Sequence, residues 1–138
     1  MTTLDASTLV TLFNSRDTNH NVCVTWFRQA IADGDPLRAP VTVLAEVAAA
    51  ISRGTGDRQL ARDVATQVQH SALFELLPVA LPLAERAIAI AADYDIPAGS
   101  ALCLAVADAL SDRLVTFDPE LLSKGPNIVE TNRPGSEV

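Results

Sequence analysis

Three acidic residues occupy positions where folding alone does not ask for a charge. Asp5 lies between Leu4 and Ala6, at the end of a short apolar run and just before the helix starters Ser7 and Thr8. Glu46 is the only charge between Pro40 and Ile51. Asp118 follows the apolar segment Leu114-Val115-Thr116-Phe117. A carboxylate among apolar neighbours costs several kcal/mol unless it is paired, hydrogen-bonded or bound to a metal. Each has a structural alternative: Asp5 could cap a helix, Glu46 could complete a capping box, and Asp118 could open a helical turn. Three such acids, each at the opening of a helix that follows a strand, favour one shared site over three separate caps. Hard oxygen ligands gathered in this way suit Mg2+ or Mn2+.

Short apolar strands alternating with helical patterns must bring those residues together. Strands are expected at Thr3–Ala6, Pro40–Val43, Leu73–Val79, Arg113–Thr116 and Asn127–Val129. Helices are expected from Ser7, over Asn21–Asp33, Leu44–Arg53, from Asp57, over Leu83–Tyr94 and Ala101–Leu110, and briefly around Glu120–Ser123. Ser100 reads as the N-cap of the long apolar helix. The alternation predicts an α/β fold with a mostly parallel sheet covered by helices, and in such sheets ligands bind beyond the carboxyl ends of the strands. Residues 1–130 read as one domain and 131–138 as a frayed tail.

Composition narrows the function classes. The 138 residues are 49% apolar with only six aromatics, so the core must be aliphatic and a disordered chain is excluded. A net charge of −7, with Lys124 the single lysine, argues against holding nucleic acid by a broad basic face. It is compatible with a basic partner or a metal among carboxylates. Arg53, Arg58 and Arg62 read as a solvated face, with an RNA-backbone contact as the alternative. Cys23 and Cys103 lack metal-ligand spacing and read as buried thiols. No signal-peptide pattern and no apolar run of membrane-spanning length is seen, so a cytoplasmic protein with no membrane contact is expected.

Leu4-Asp5-Ala6-Ser7, Ala39-Pro40-Val41-Thr42-Val43-Leu44-Ala45-Glu46-Val47 and Leu114-Val115-Thr116-Phe117-Asp118-Pro119-Glu120-Leu121, in this order and spacing, resemble the PIN domain family, and within it the VapC-type toxins of toxin–antitoxin pairs. The resemblance implies a PIN-like (Rossmann-like) three-layer sandwich and a divalent-metal-dependent endoribonuclease. It also implies Mg2+ or Mn2+ as cofactor, an RNA substrate, a cognate antitoxin and a homodimer. Carried over by position, Asp5, Glu46 and Asp118 match the family's first, second and fourth acids, and Thr116 matches the threonine of its T-x-D motif. Glu120 falls at an accessory position, while the family's third acid falls on Ser100, whose hydroxyl could bind a water in its place. Asp108 on the same helix stands about 12 Å further along the axis and cannot substitute. The alternative implied by Ser100 is a catalytically weakened binding module that associates with an antitoxin-like partner or RNA without cleaving.

Overall fold

Strand β1 (Thr2–Leu4) is only three residues long, fully buried, and the centre of everything that follows. In the computed structural model, which describes residues 1–136, it lies between β2 (Leu37–Pro40) and β4 (Arg113–Val115). β3 (Phe74–Leu77) extends the sheet beyond β2, and β5 (Thr131–Asn132) extends it beyond β4. The order β3-β2-β1-β4-β5 is parallel throughout. Every carboxyl end therefore faces one edge, and the chain reverses direction across the sheet between β1 and β4. This is the topological switch point where open α/β sheets place ligands.

Helices α1 (Ala6–Phe13), α2 (His20–Ala32), α3 (Val43–Thr55), α4 (Arg58–His70), α5 (Leu81–Tyr94), α6 (Ala98–Leu110) and α7 (Pro119–Lys124) flank this sheet in a three-layer α/β sandwich. α6 packs across β1, β2 and β4, with six of its thirteen residues buried. Helices α3 and α4 form a hairpin turned at Gly56, whose φ of 72° is a left-handed value that glycine adopts without a Cβ penalty. The core is aliphatic, as the composition predicts: Leu4, Leu9, Leu37, Ile90, Leu104, Leu114 and Leu121 are fully buried. Among the described residues no single helix is long and apolar enough to cross a membrane.

The elements match the expected ones in type, with several shifts of boundary. β1 ends at Leu4, and Asp5 and Ala6, read as strand, cap and open α1. β2 ends at Pro40, and Val43, read as strand, opens α3; two β-branched residues follow the proline, but Val41 and Thr42 form the turn into the helix. α6 starts three residues early: Pro97 takes the N-cap position, so Ser100 sits inside the first turn and caps nothing. The last strand falls at Thr131–Asn132, because residues Gly125–Asn127 coil into a 3-10 turn. The expected tail from Thr131 thus begins with a paired strand; its last two residues, 137 and 138, lie outside the described ones.

The opposite edge of the sheet is locked by a buried ion pair. Asp112, fully buried before β4, accepts from Arg38 Nη2 at 2.6 Å and Nε at 3.0 Å, and from the Thr3 hydroxyl at 2.9 Å. One carboxylate so joins β1, β2 and β4. Removing one partner of such a pair strands the other, so Asp112→Ala is expected to cost about 3–5 kcal/mol of stability. Urea unfolding checks this; a loss below about 1 kcal/mol would show the pair to be dispensable.

Candidate functional site

Because β1 and β4 are neighbours in register, Leu4 opposite Val115, the residues just past their ends meet although 111 positions separate them. Asp5 is the N-cap of α1 and 5% exposed. Its Oδ2 accepts from Thr116 Oγ1 at 2.7 Å, and its Oδ1 from the Thr8 amide and hydroxyl, both at 3.2 Å. The Ser7 hydroxyl stands 2.8 and 2.9 Å from the two oxygens and itself accepts from the Phe117 amide at 3.0 Å. Burial raises the Asp5 pKa above the usual carboxylate range, and these donors hold it back. Thr116, buried on the far side, also accepts the Asp118 amide at 2.9 Å, so one hydroxyl ties Asp5 to the start of α7.

Asp118 is the N-cap of α7, accepting from the Glu120 amide at 2.9 Å. Both structural alternatives considered for Asp5 and Asp118 are therefore realised: these acids cap helices. Glu46 is different. It sits in the first turn of α3, past the positions of a capping box, and its Oε1 is buried with no hydrogen-bond partner. Burial, and then the charge of Asp5, push its pKa up.

Asp5, Glu46, Ser100 and Asp118 line one open cavity of about 730 Å³ at the carboxyl edge of the sheet. Asp17 adds a fourth acid to the wall, and among the described lining residues Arg53 is the only base. Neither Asp5 nor Glu46 has a salt bridge among those found between described residues. Glu120 does not line this cavity; it is exposed and pairs with Lys124 at 3.2 Å. Sequence reasoning read Ser7 as a helix starter and missed it as a link between β1 and β4. Nor did it point to Cys103, a buried thiol on the cavity wall.

Among the described residues, no three His, Cys, Asp or Glu side chains converge into a ready-made metal cage. The donors still fit a hard divalent ion: Mg2+ is commonly held by one or two carboxylates, with water and substrate phosphate completing its shell. An unpartnered buried carboxylate oxygen beside a second acid is a group such an ion would satisfy.

The raised pKa values have a stability consequence. Between the ordinary carboxylate pKa and the raised one, the folded chain binds more protons than the unfolded chain, so Asp5 and Glu46 make stability fall as pH rises through that window. Glu46→Gln removes the Glu46 share without losing a hydrogen bond at Oε1. Its melting temperature in EDTA is expected to exceed that of the parent at pH 7–8, by about 3–5 °C per kcal/mol regained, and the gain should shrink near pH 4. A lower melting temperature at neutral pH would mean that the Glu46 carboxylate stabilises the fold. Thr116→Val, by contrast, is expected to destabilise by about 1–3 kcal/mol, since it deprives both Asp5 and the Asp118 amide of a partner.

Residues 2–125 match the PIN domain family. A search of curated proteins finds none that matches. Among solved structures, the chain is similar to Mycobacterium tuberculosis VapC20, a Sarcin-Ricin loop cleaving toxin, with 22% identity, a TM-score of 0.75, and 91% of this chain and 95% of that one covered. It is similar to a toxin–antitoxin complex from Klebsiella pneumoniae, at 20% identity and a TM-score of 0.60, over 88% of this chain and 90% of that one. It is also similar to VapBC2 from Rickettsia felis, bound to a DNA fragment from their promoter, at 15% identity and a TM-score of 0.71, over 95% and 97%. With the family matched over nearly the whole sheet and the acids gathered at its switch point, the chain belongs to the PIN domain family.

Proposed function

We propose that this chain is a divalent-metal-dependent endoribonuclease, the toxin of a toxin–antitoxin pair, acting in the cytoplasm with Mg2+ or Mn2+ held by Asp5, Glu46 and Asp118, one or two of them directly and the rest through water. The observation that carries this reading is Glu46: a half-buried glutamate whose Oε1 is buried and unpartnered, without a capping role, in a cavity shared with the buried Asp5. A helix cap explains Asp5 and Asp118, but nothing structural explains Glu46. Family membership and the toxins among the similar structures support the same reading. A cognate antitoxin is the partner this implies. A homodimer is supported by the apolar surface of α5, where Leu81 and Ile88 are 69% and 65% exposed.

When bound, a divalent ion would supply charge to the scissile phosphate and lower the pKa of a coordinated water. The chain's own residues do the rest. Ser7, Thr8 and Thr116 hold Asp5 in one orientation, so its carboxylate needs no reorganisation. Glu46, with its raised pKa and free oxygen, is the group suited to orient a water and take its proton. Arg53 offers the cavity wall a positive charge for a phosphate. Ser100 gives the wall a neutral hydroxyl where the family has an acid.

The second reading, a binding module that does not cleave, is favoured by Ser100 and by the hydrogen bonds that already engage both Asp5 oxygens. One set of assays separates them. For a nuclease, RNA cleavage requires Mg2+ or Mn2+, stops in EDTA, and falls roughly a hundredfold or more in Asp5→Asn. For a binding module, no RNA is cut with either ion, and partner association survives Asp5→Asn. Ser100→Asp adds a carboxylate to the wall and is expected to tighten Mn2+ binding measured by calorimetry, because ligand charge count sets affinity for hard cations. Unchanged or weaker binding in a folded Ser100→Asp protein would remove Ser100 from the site.

A further inference from the structure

Glu46 meets the first turn of α6 at Gly99. A glycine at that position has no conformational reason to be there: its φ is not positive, and inside a helix glycine is less favourable than alanine. The reason lies across the cavity wall. A Cβ built on Gly99 would overlap Oε2 of Glu46 and stand 2.6 Å from its Cδ and 2.9 Å from its Oε1. These atoms form the whole carboxylate, and no backbone atom is among the nearest three. A side chain at position 99 would therefore move Glu46 and leave the helix where it is.

We propose that Gly99 is a positioning residue, whose missing side chain leaves the space in which the Glu46 carboxylate is held on the cavity wall. A methyl group there turns Glu46 out of the site. The mechanical part stands on the packing alone; its consequence for metal binding rests on the function proposed above. Gly34, Gly54 and Gly56 have nothing within 4 Å of an added Cβ, and the side chains that Gly125 and Gly135 would meet, Thr131 and Val22, lie outside the cavity lining. The space at Gly99 also explains how Oε1 of Glu46 stays buried without a hydrogen-bond partner, since the backbone of α6 can approach it only where no Cβ intervenes.

The test uses the parent, Gly99→Ala, Glu46→Gln and the double variant. In EDTA at one fixed pH, the carbon-13 resonance of the Glu46 carboxyl, assigned by its absence from Glu46→Gln, should move in Gly99→Ala to the position of a solvent-exposed glutamate. An unchanged resonance in folded Gly99→Ala overturns the proposal. In a Mn2+ titration by calorimetry, Gly99→Ala should weaken binding roughly tenfold or more, the effect expected of losing a supporting contact at a metal site. The double variant should bind no more weakly than the weaker single one, because both changes act through one carboxylate. Parent affinity in Gly99→Ala, or losses that add in the double variant, overturn it. Should the parent itself bind no Mn2+, the metal reading falls, and the resonance still decides the role of Gly99. If Gly99→Ala fails to fold, Gly99→Ala combined with Glu46→Ala removes the clash: recovered folding supports the proposal, and continued failure overturns it.

Discussion

The pairing of β1 with β4 is the constraint on which the rest of the structure depends. It is a short contact, three residues on each side, yet it places Asp5 against Thr116 and lets one hydroxyl serve both Asp5 and the Asp118 amide. Around that contact the sheet has two unlike edges. At the amino edge, Arg38 neutralises Asp112 and the Thr3 hydroxyl donates to the same carboxylate. At the carboxyl edge, four acids share a cavity with one arginine. Charge is satisfied where the strands begin and left unsatisfied where they end, and stability and chemistry are divided accordingly.

Asp5 shows that a helix cap can also line the cavity at the sheet's carboxyl edge. Its hydrogen bonds from Ser7, Thr8 and Thr116 both terminate α1 correctly and fix the carboxylate facing the cavity. Burial raises its pKa and these donors offset part of that rise, so the carboxyl is held in place by bonds as well as by packing. Glu46 has the burial without the donors. The two acids differ in what keeps them in place: one is bonded, the other is enclosed.

Much of this was legible in the sequence, because an acid flanked by aliphatic residues is costly and therefore informative. Leu4-Asp5-Ala6 and the lone Glu46 announce themselves in this way, and the alternation of strands and helices is enough to send all three acids to one edge. What could not be read was whatever depends on packing between distant elements. The N-cap position of α6 falls on Pro97, not on Ser100, against the capping preference of serine. Val43 has strand-like chemistry but opens α3. The fit of Glu46 against Gly99 involves residues 53 positions apart, on helices with no shared sequence pattern. No periodicity encodes it.

The distance along the chain between Asp5 and Thr116 has a consequence for how the molecule comes into being. During synthesis the first half of the cavity, Asp5 and Glu46, emerges early, but β4 and the T-x-D segment follow only after residue 112. Contacts of such wide separation form late, after the loop between them has been closed. The nascent chain can thus build α1 to α5 and still lack an assembled site. On the proposed reading this is a built-in delay: the cutting centre exists only once nearly all of the domain has been released to fold.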